Sequence, residues 1–178
     1  MNEKARQFED LYASHARAVR ALLVRLSGPG MDADDLCHEV FVVAWRKLDG
    51  LGEVPGRGWL CAIAIRVVGG ARRRAHLRRF VGLDHAKERA TDKTPATDFE
   101  AAEASLQVYA ALDGISEKKR VVFILHELQG LTGEQIASIL ECPVKTVWSR
   151  LGHARSEFEQ KVRKQVRREQ ALAREGAT

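Results

Sequence analysis

Residues 131–155 read LTGEQIASILECPVKTVWSRLGHAR. Thr132 and Gln135 have the spacing of a capping box, which starts a short helix carrying Ile136, Ala137, Ile139 and Leu140. Glu141-Cys142-Pro143 interrupts it, and Pro143 suits the first turn of a following helix, where its missing N–H has no partner to lose. In that second helix Val147, Leu151 and Ala154 stand at i, i+4 and i+7 and face inward. Two short helices joined by a tight turn, with small Ala137 where they must approach, predict a helix-turn-helix. The second helix leaves Lys145, Thr146, Trp148, Ser149 and His153 outward. Such a set suits base edges and phosphates in a major groove, whereas a plain helical hairpin, the blander alternative, needs none of it. Glu141 occupies a turn position often held by Gly.

Upstream the helical period continues. Residues 3–27 place Phe8, Leu11, Tyr12, His15, Val19, Leu22, Leu23 and Leu26 at steps of three and four, and Ser27-Gly28-Pro29-Gly30 stops that helix. Asp32 then caps a second helix, with Asp34 and Asp35 in its first turn and Leu36, Val40, Phe41, Val43, Ala44 and Leu48 as its apolar positions. A third helix from Trp59 carries Leu60, Ile63, Ala64, Val67 and Val68 inward and ends in an arginine block; Gly69-Gly70 predicts a weak point or bend within it. After residue 98, Phe99, Ala102, Leu106, Tyr109 and Leu112 form one helix, and Ser116 caps another that runs through Val121, Ile124, Leu125 and Leu128 to Gln129-Gly130. No segment alternates with period two for long, so the expected fold is all-α.

Between these helical groups lies GLDHAKERATDKTPATD, residues 82–98, with Pro95, four acids and no period. It reads as a flexible linker, giving two small domains, 1–81 and 99–178, the second with a basic C-terminal tail. Such halves are expected to couple weakly and to adopt several separations.

The charge distribution supports the same division. The 178-residue chain has 29 Lys and Arg against 24 Asp and Glu, a net charge of +5. Residues 61–90 hold eight bases and two acids, and 141–170 eight bases and four acids, whereas 31–60 hold three bases and six acids. Two basic zones are what two surfaces meeting a polyanion require, although solvated helix faces produce charge runs too. The longest apolar run, Trp59 to Ile65, is too short for a membrane span of roughly 20 residues. The charged start MNEKARQFED lacks a secretory pattern, which predicts a cytoplasmic protein. Cys37, Cys61 and Cys142 have no CxxC spacing, against both a disulfide framework and a zinc knuckle.

Taken together, DADDLCHEVFVVAWRKL (32–48), GWLCAIAIRVVGGARRR (58–74) and the stretch from Ala111 through Arg155 resemble the extracytoplasmic-function (ECF) sigma factors of bacterial RNA polymerase. The resemblance covers nearly all of residues 5–165. It implies a first domain that docks on core polymerase and opens the minus-ten promoter element, and a second that reads the minus-thirty-five element. By that resemblance Asp35, Leu36, His38, Glu39, Phe41 and Trp45 match the polymerase-docking helix. Arg66, Arg72, Arg73, Arg74, Arg78 and Arg79 match the minus-ten region, and Lys145, Thr146, Trp148, Ser149, Arg150 and His153 the minus-thirty-five reader. His38 stands where the family usually has Gln, and Ile65-Arg66 where it has Arg-Asn. Trp148 and His153 replace residues that are usually basic, which implies an unusual promoter preference. The partners implied are core RNA polymerase, promoter DNA and an anti-sigma factor that can hold the protein at the membrane, in a stress or envelope response. No cofactor, metal or small-molecule substrate is implied.

An enzyme is the first competing class. Cys37-His38-Glu39 and His126-Glu127 lack the second histidine of an HExxH site, and no GxxxxGK loop is present. A conventional helix-turn-helix regulator is the second; it binds operator DNA without polymerase, which separates the two readings experimentally. A purely protein-binding helical adaptor leaves the arginine cluster unexplained.

Overall fold

The computed structural model describes residues 3–28, 30–50, 55–80 and 108–175, so the expected linker 82–98 lies outside the described residues. Helix α1 (Glu3–Ser27), α2 (Ala33–Lys47) and α3 (Arg57–Phe80) build the first half. The second half contains α4 (helical over 108–113), α5 (Glu117–Phe123), a π-helical turn Ile124–Leu128, α6 (Gly133–Ile139) and α7 (Val144–Glu175). The described residues contain no strand.

Local signals set most boundaries. Asp32 caps α2 by accepting from the amides of Asp34 and Asp35, and Thr132 and Gln135 close both arms of the capping box on α6. In the first half, Val19, Leu22, Leu23, Val40, Ala44, Leu60 and Ala64 are almost wholly buried where the three helices meet. In the second, Ile124, Leu125, Ile136, Val147, Leu151 and Ala154 do the same between α5, α6 and α7.

Three expected segments take a definite form in the structure. Gly69-Gly70 does not interrupt α3, which runs continuously past it. Gly69 lies against the first turn of α5, where a Cβ would fall 2.5 Å from the end of the Glu117 side chain, Oε1. The helix expected to reach Gln129 as one α-helix changes to a π turn after Phe123. The basic C-terminal segment is helical, continuing α7 to Glu175.

The two halves also touch in this structure. Helix α3 packs against α6, and the buried side chains of both halves form one continuous cluster. Arg57 Nη2 donates to Gln129 Oε1 at 2.9 Å across this boundary.

Candidate nucleic-acid interface

The helix-turn-helix is built as its sequence pattern requires. Val147, Leu151 and Ala154 are buried against α5 and α6, which turns Lys145, Trp148, Ser149 and His153 to the exposed side of α7. Thr146 and Arg150 are half-buried, and Arg150 Nη1 lies 3.9 Å from Cys142 Sγ in the turn. Among the described residues Glu141 is the only non-glycine with positive φ, at 50°. The turn needs a left-handed residue there, a conformation that normally favours glycine.

The π turn supplies two contacts that the sequence pattern did not reveal. His126 meets the Trp148 ring edge-on, with centroids 5.6 Å apart, and Glu127 Oε1 lies 2.6 Å from Arg155 Nη2. Burial opposes ionisation of Glu127, but the hydrogen bond and charge of Arg155, helped by His126, hold its carboxyl below the usual range. A π turn inserts one residue into the helical register, and no single-sequence periodicity signals where that happens.

The arginines of α3 divide into two groups. Arg66, Arg73, Arg74 and Arg78 are exposed. Arg66 Nη2 lies 2.9 Å from Glu141 Oε1, and Arg74 Nη2 lies 3.4 Å from Glu39 Oε2. Arg72, expected to face DNA with its neighbours, is turned the other way. Its Nη1 donates to the carbonyls of Leu26 (3.0 Å) and Ser27 (3.1 Å) at the end of α1, and its Nη2 pairs with Asp113. The guanidinium thus fastens orphan carbonyls of α1 and bridges to the second half. The Arg79 side chain lies outside the described residues.

Helix α2 likewise separates into core and surface. Leu36 and Phe41, expected on the docking face, are only 6% and 4% exposed and belong to the core. Asp35, His38 and Trp45 are exposed and Glu39 is half-buried. Trp45 sits edge-on to Phe8 at 5.1 Å, with Lys4 Nζ 4.4 Å from its ring centroid, and Tyr12 meets Phe41 at 4.7 Å. Tyr12, one of the periodic positions of α1, is 51% exposed. The exposed aromatics on this face are therefore Tyr12 and Trp45. Aromatic spacing at i and i+4 in both helices (Phe8/Tyr12, Phe41/Trp45) was the signal available for it.

Among the described residues no helix is long and apolar enough to cross a membrane.

Two family models match the chain: Sigma-70 region 2 over residues 11–78 and Sigma-70 region 4 over residues 105–158. The chain is 31% identical over 146 residues to ECF RNA polymerase sigma factor SigL of Mycobacterium tuberculosis, covering 81% of this chain and 82% of that one. It is 31% identical over 165 residues to ECF RNA polymerase sigma-E factor of Escherichia coli, covering 83% of each. Against ECF RNA polymerase sigma factor SigE of Mycolicibacterium smegmatis it is 29% identical over 153 residues, spanning 85% of this chain and 60% of the relative's length. In fold it is similar to CnrH in complex with the cytosolic domain of CnrY, with TM-score 0.60, 26% identity and coverage of 86% and 85%. It is also similar to the sigma factor RpoE in complex with the anti-sigma factor NepR from Bartonella quintana, with TM-score 0.66, 24% identity and coverage of 88% and 96%.

Proposed function

Since the chain belongs to the ECF RNA polymerase sigma factors, we propose that it binds core RNA polymerase in the cytoplasm and directs initiation at promoters selected by its two halves. The observation that carries this reading is the exposed row Lys145, Trp148, Ser149 and His153 on α7, together with the exposed arginines of α3. One surface is suited to reading the minus-thirty-five element, the other to holding the strands at the minus-ten element.

In this reading Arg66, Arg73, Arg74 and Arg78 hold DNA backbone by charge, while Arg72 holds α1 and Asp113. Asp35, His38, Glu39 and Trp45 form the polymerase-docking face of α2, with Tyr12 beside them. Leu36 and Phe41 shape that face from beneath. Promoter opening draws on binding energy, and no bond chemistry is assigned to any residue.

The solved structure of RpoE with the anti-sigma factor NepR supports a protein antagonist for this chain too, and that of CnrH with the cytosolic domain of CnrY a protein partner. Such a partner would cover the docking and reading helices, and if itself membrane-bound would hold the protein there.

In vitro transcription with purified core polymerase on a promoter library tests the reading. Specific transcripts that require both polymerase and this chain are expected. Binding of the chain alone to a palindromic operator, with no effect on polymerase, would instead establish a conventional regulator. Within the active system Lys145→Ala should weaken promoter binding and reduce its salt slope by about one if Lys145 neutralises a phosphate. Ser149→Ala should change the selected minus-thirty-five sequence, and an identical consensus would remove Ser149 from the reading set.

A further inference from the structure

Gly133, the first residue of α6, is buried beneath the side chain of Trp148. A Cβ at position 133 would fall 2.5 Å from Cζ2, 2.8 Å from Cε2 and 3.2 Å from Cη2 of the indole. Real Cβ atoms do not come that close to a ring, so any other residue at 133 must displace it. The backbone gives no competing reason for the glycine. Among the described residues the positive-φ glycines are Gly28 and Gly130, not Gly133, and the first position of a helix accepts most residues.

Two further features frame the same ring. His126, brought round by the π turn, meets it edge-on at 73°. One turn further along α7, Gly152 follows Trp148 at i+4, and a Cβ there would meet nothing within 4 Å. Glycine disfavours a helix interior, and no neighbouring side chain explains it here. Position 152 is thus open space one turn along the helix from the ring, into which a longer side chain at i+4 would extend. Trp148 is thus seated on Gly133, in T-shaped contact with His126, and still 47% exposed on the same side of the helix as Ser149.

An indole held this way presents carbon surface. In the major groove the apolar feature that distinguishes one base from the others is the C5-methyl of thymine. We propose that Gly133 is a positioning residue for promoter recognition, seating Trp148 as a fixed apolar plate that takes the methyl group of a thymine in the minus-thirty-five element. The inference rests on α7 being the minus-thirty-five reader, and it names the base that Trp148 selects and the residue that aims it.

Uracil substitution isolates the methyl, because uracil keeps the pairing and the O4 acceptor of thymine. Holoenzyme assembled from core polymerase and the full chain is titrated onto a promoter whose minus-thirty-five thymines are replaced by uracil one at a time, on each strand. One replacement should weaken binding by about fourfold, the worth of burying one methyl-sized group. Trp148→Ala should bind the two forms equally. Gly133→Ala, with Trp148 still present, should also lose the discrimination, and the double variant should match Trp148→Ala alone. Thermal melting checks that Gly133→Ala folds. Should it not, Gly152→Leu provides the second route, because it leaves the seat at 133 intact, shades the ring and should abolish discrimination without lowering the melting temperature.

Equal binding of every uracil promoter by the wild type, in an assay where scrambling the minus-thirty-five element does weaken binding, would overturn the plate. Full discrimination by a folded Gly133→Ala would overturn the positioning role. Indifference to the scrambled element would remove the assignment of α7 itself, and the proposal with it.

Discussion

Arg66 on α3 and Glu141 in the turn of the helix-turn-helix are paired across the two halves, Nη2 to Oε1 at 2.9 Å. Both stand on surfaces assigned to DNA, so in this arrangement an acid of one reading surface occupies a base of the other. The arginine and carboxylate side chains are 61% and 75% exposed, and an exposed pair contributes at most about 1 kcal/mol. Glu141→Gln should therefore leave the melting temperature nearly unchanged. Glu141→Gly should raise stability by about 1 kcal/mol, because glycine takes φ 50° without the Cβ penalty. Chemical denaturation of the two variants measures both effects, and a loss of stability in Glu141→Gly would show that the carboxylate matters more than the backbone.

Asp113 accepts from arginines of both halves. It pairs with Arg72, and its Oδ1 lies 3.3 Å from Nη1 of Arg120, which is 6% exposed. Burial and the nearby charge of Arg72 push the Arg120 guanidinium down from its ordinary value, against the pull of Asp113 and Glu117. Asp113→Asn removes the compensating charge and should cost about 1–3 kcal/mol. Urea unfolding should show this, while Arg120→Met, which removes the buried charge itself, should be better tolerated than Asp113→Asn.

The Glu127–Arg155 pair gives a pH signature. Its folded-state value is depressed, so its stabilisation is complete above the unfolded glutamate value of about 4.3 and is lost as pH falls through the lower folded value. Glu127→Gln should lower the melting temperature at pH 7, and the gap to wild type should begin to narrow once pH falls below the unfolded value of about 4.3. A gap that stays constant from pH 7 to pH 3 would mean that the glutamate acts by packing alone.

Glu39 lies beside Arg74 on the groove between α2 and α3, with 44% of its side chain exposed. Charge reversal by Glu39→Lys should place two cations together and present the wrong sign to a basic partner. Assembly with core polymerase, followed by gel filtration, is expected to fall, with the circular dichroism spectrum retained. Normal assembly would take Glu39 out of the docking face.

What the sequence determined by itself is local. The Asp32 cap, the Thr132–Gln135 capping box and the inward row Val147, Leu151 and Ala154 depend on residues within one or two turns of each other, so reading along the chain recovers them. The family motifs, being strings, were legible for the same reason. Direction and partnership were decided only by the tertiary structure. Arg72 and Arg73 are adjacent and chemically identical, yet about 100° of helical rotation sends one to the α1 carbonyls and leaves the other exposed. Phe41 and Trp45 share a helical stripe, but α1 covers the first more fully than the second. The π turn, the seat of Trp148 on Gly133 and the bond from Arg66 to Glu141 join residues brought together by packing, and packing follows from the whole set of buried side chains rather than from any one segment.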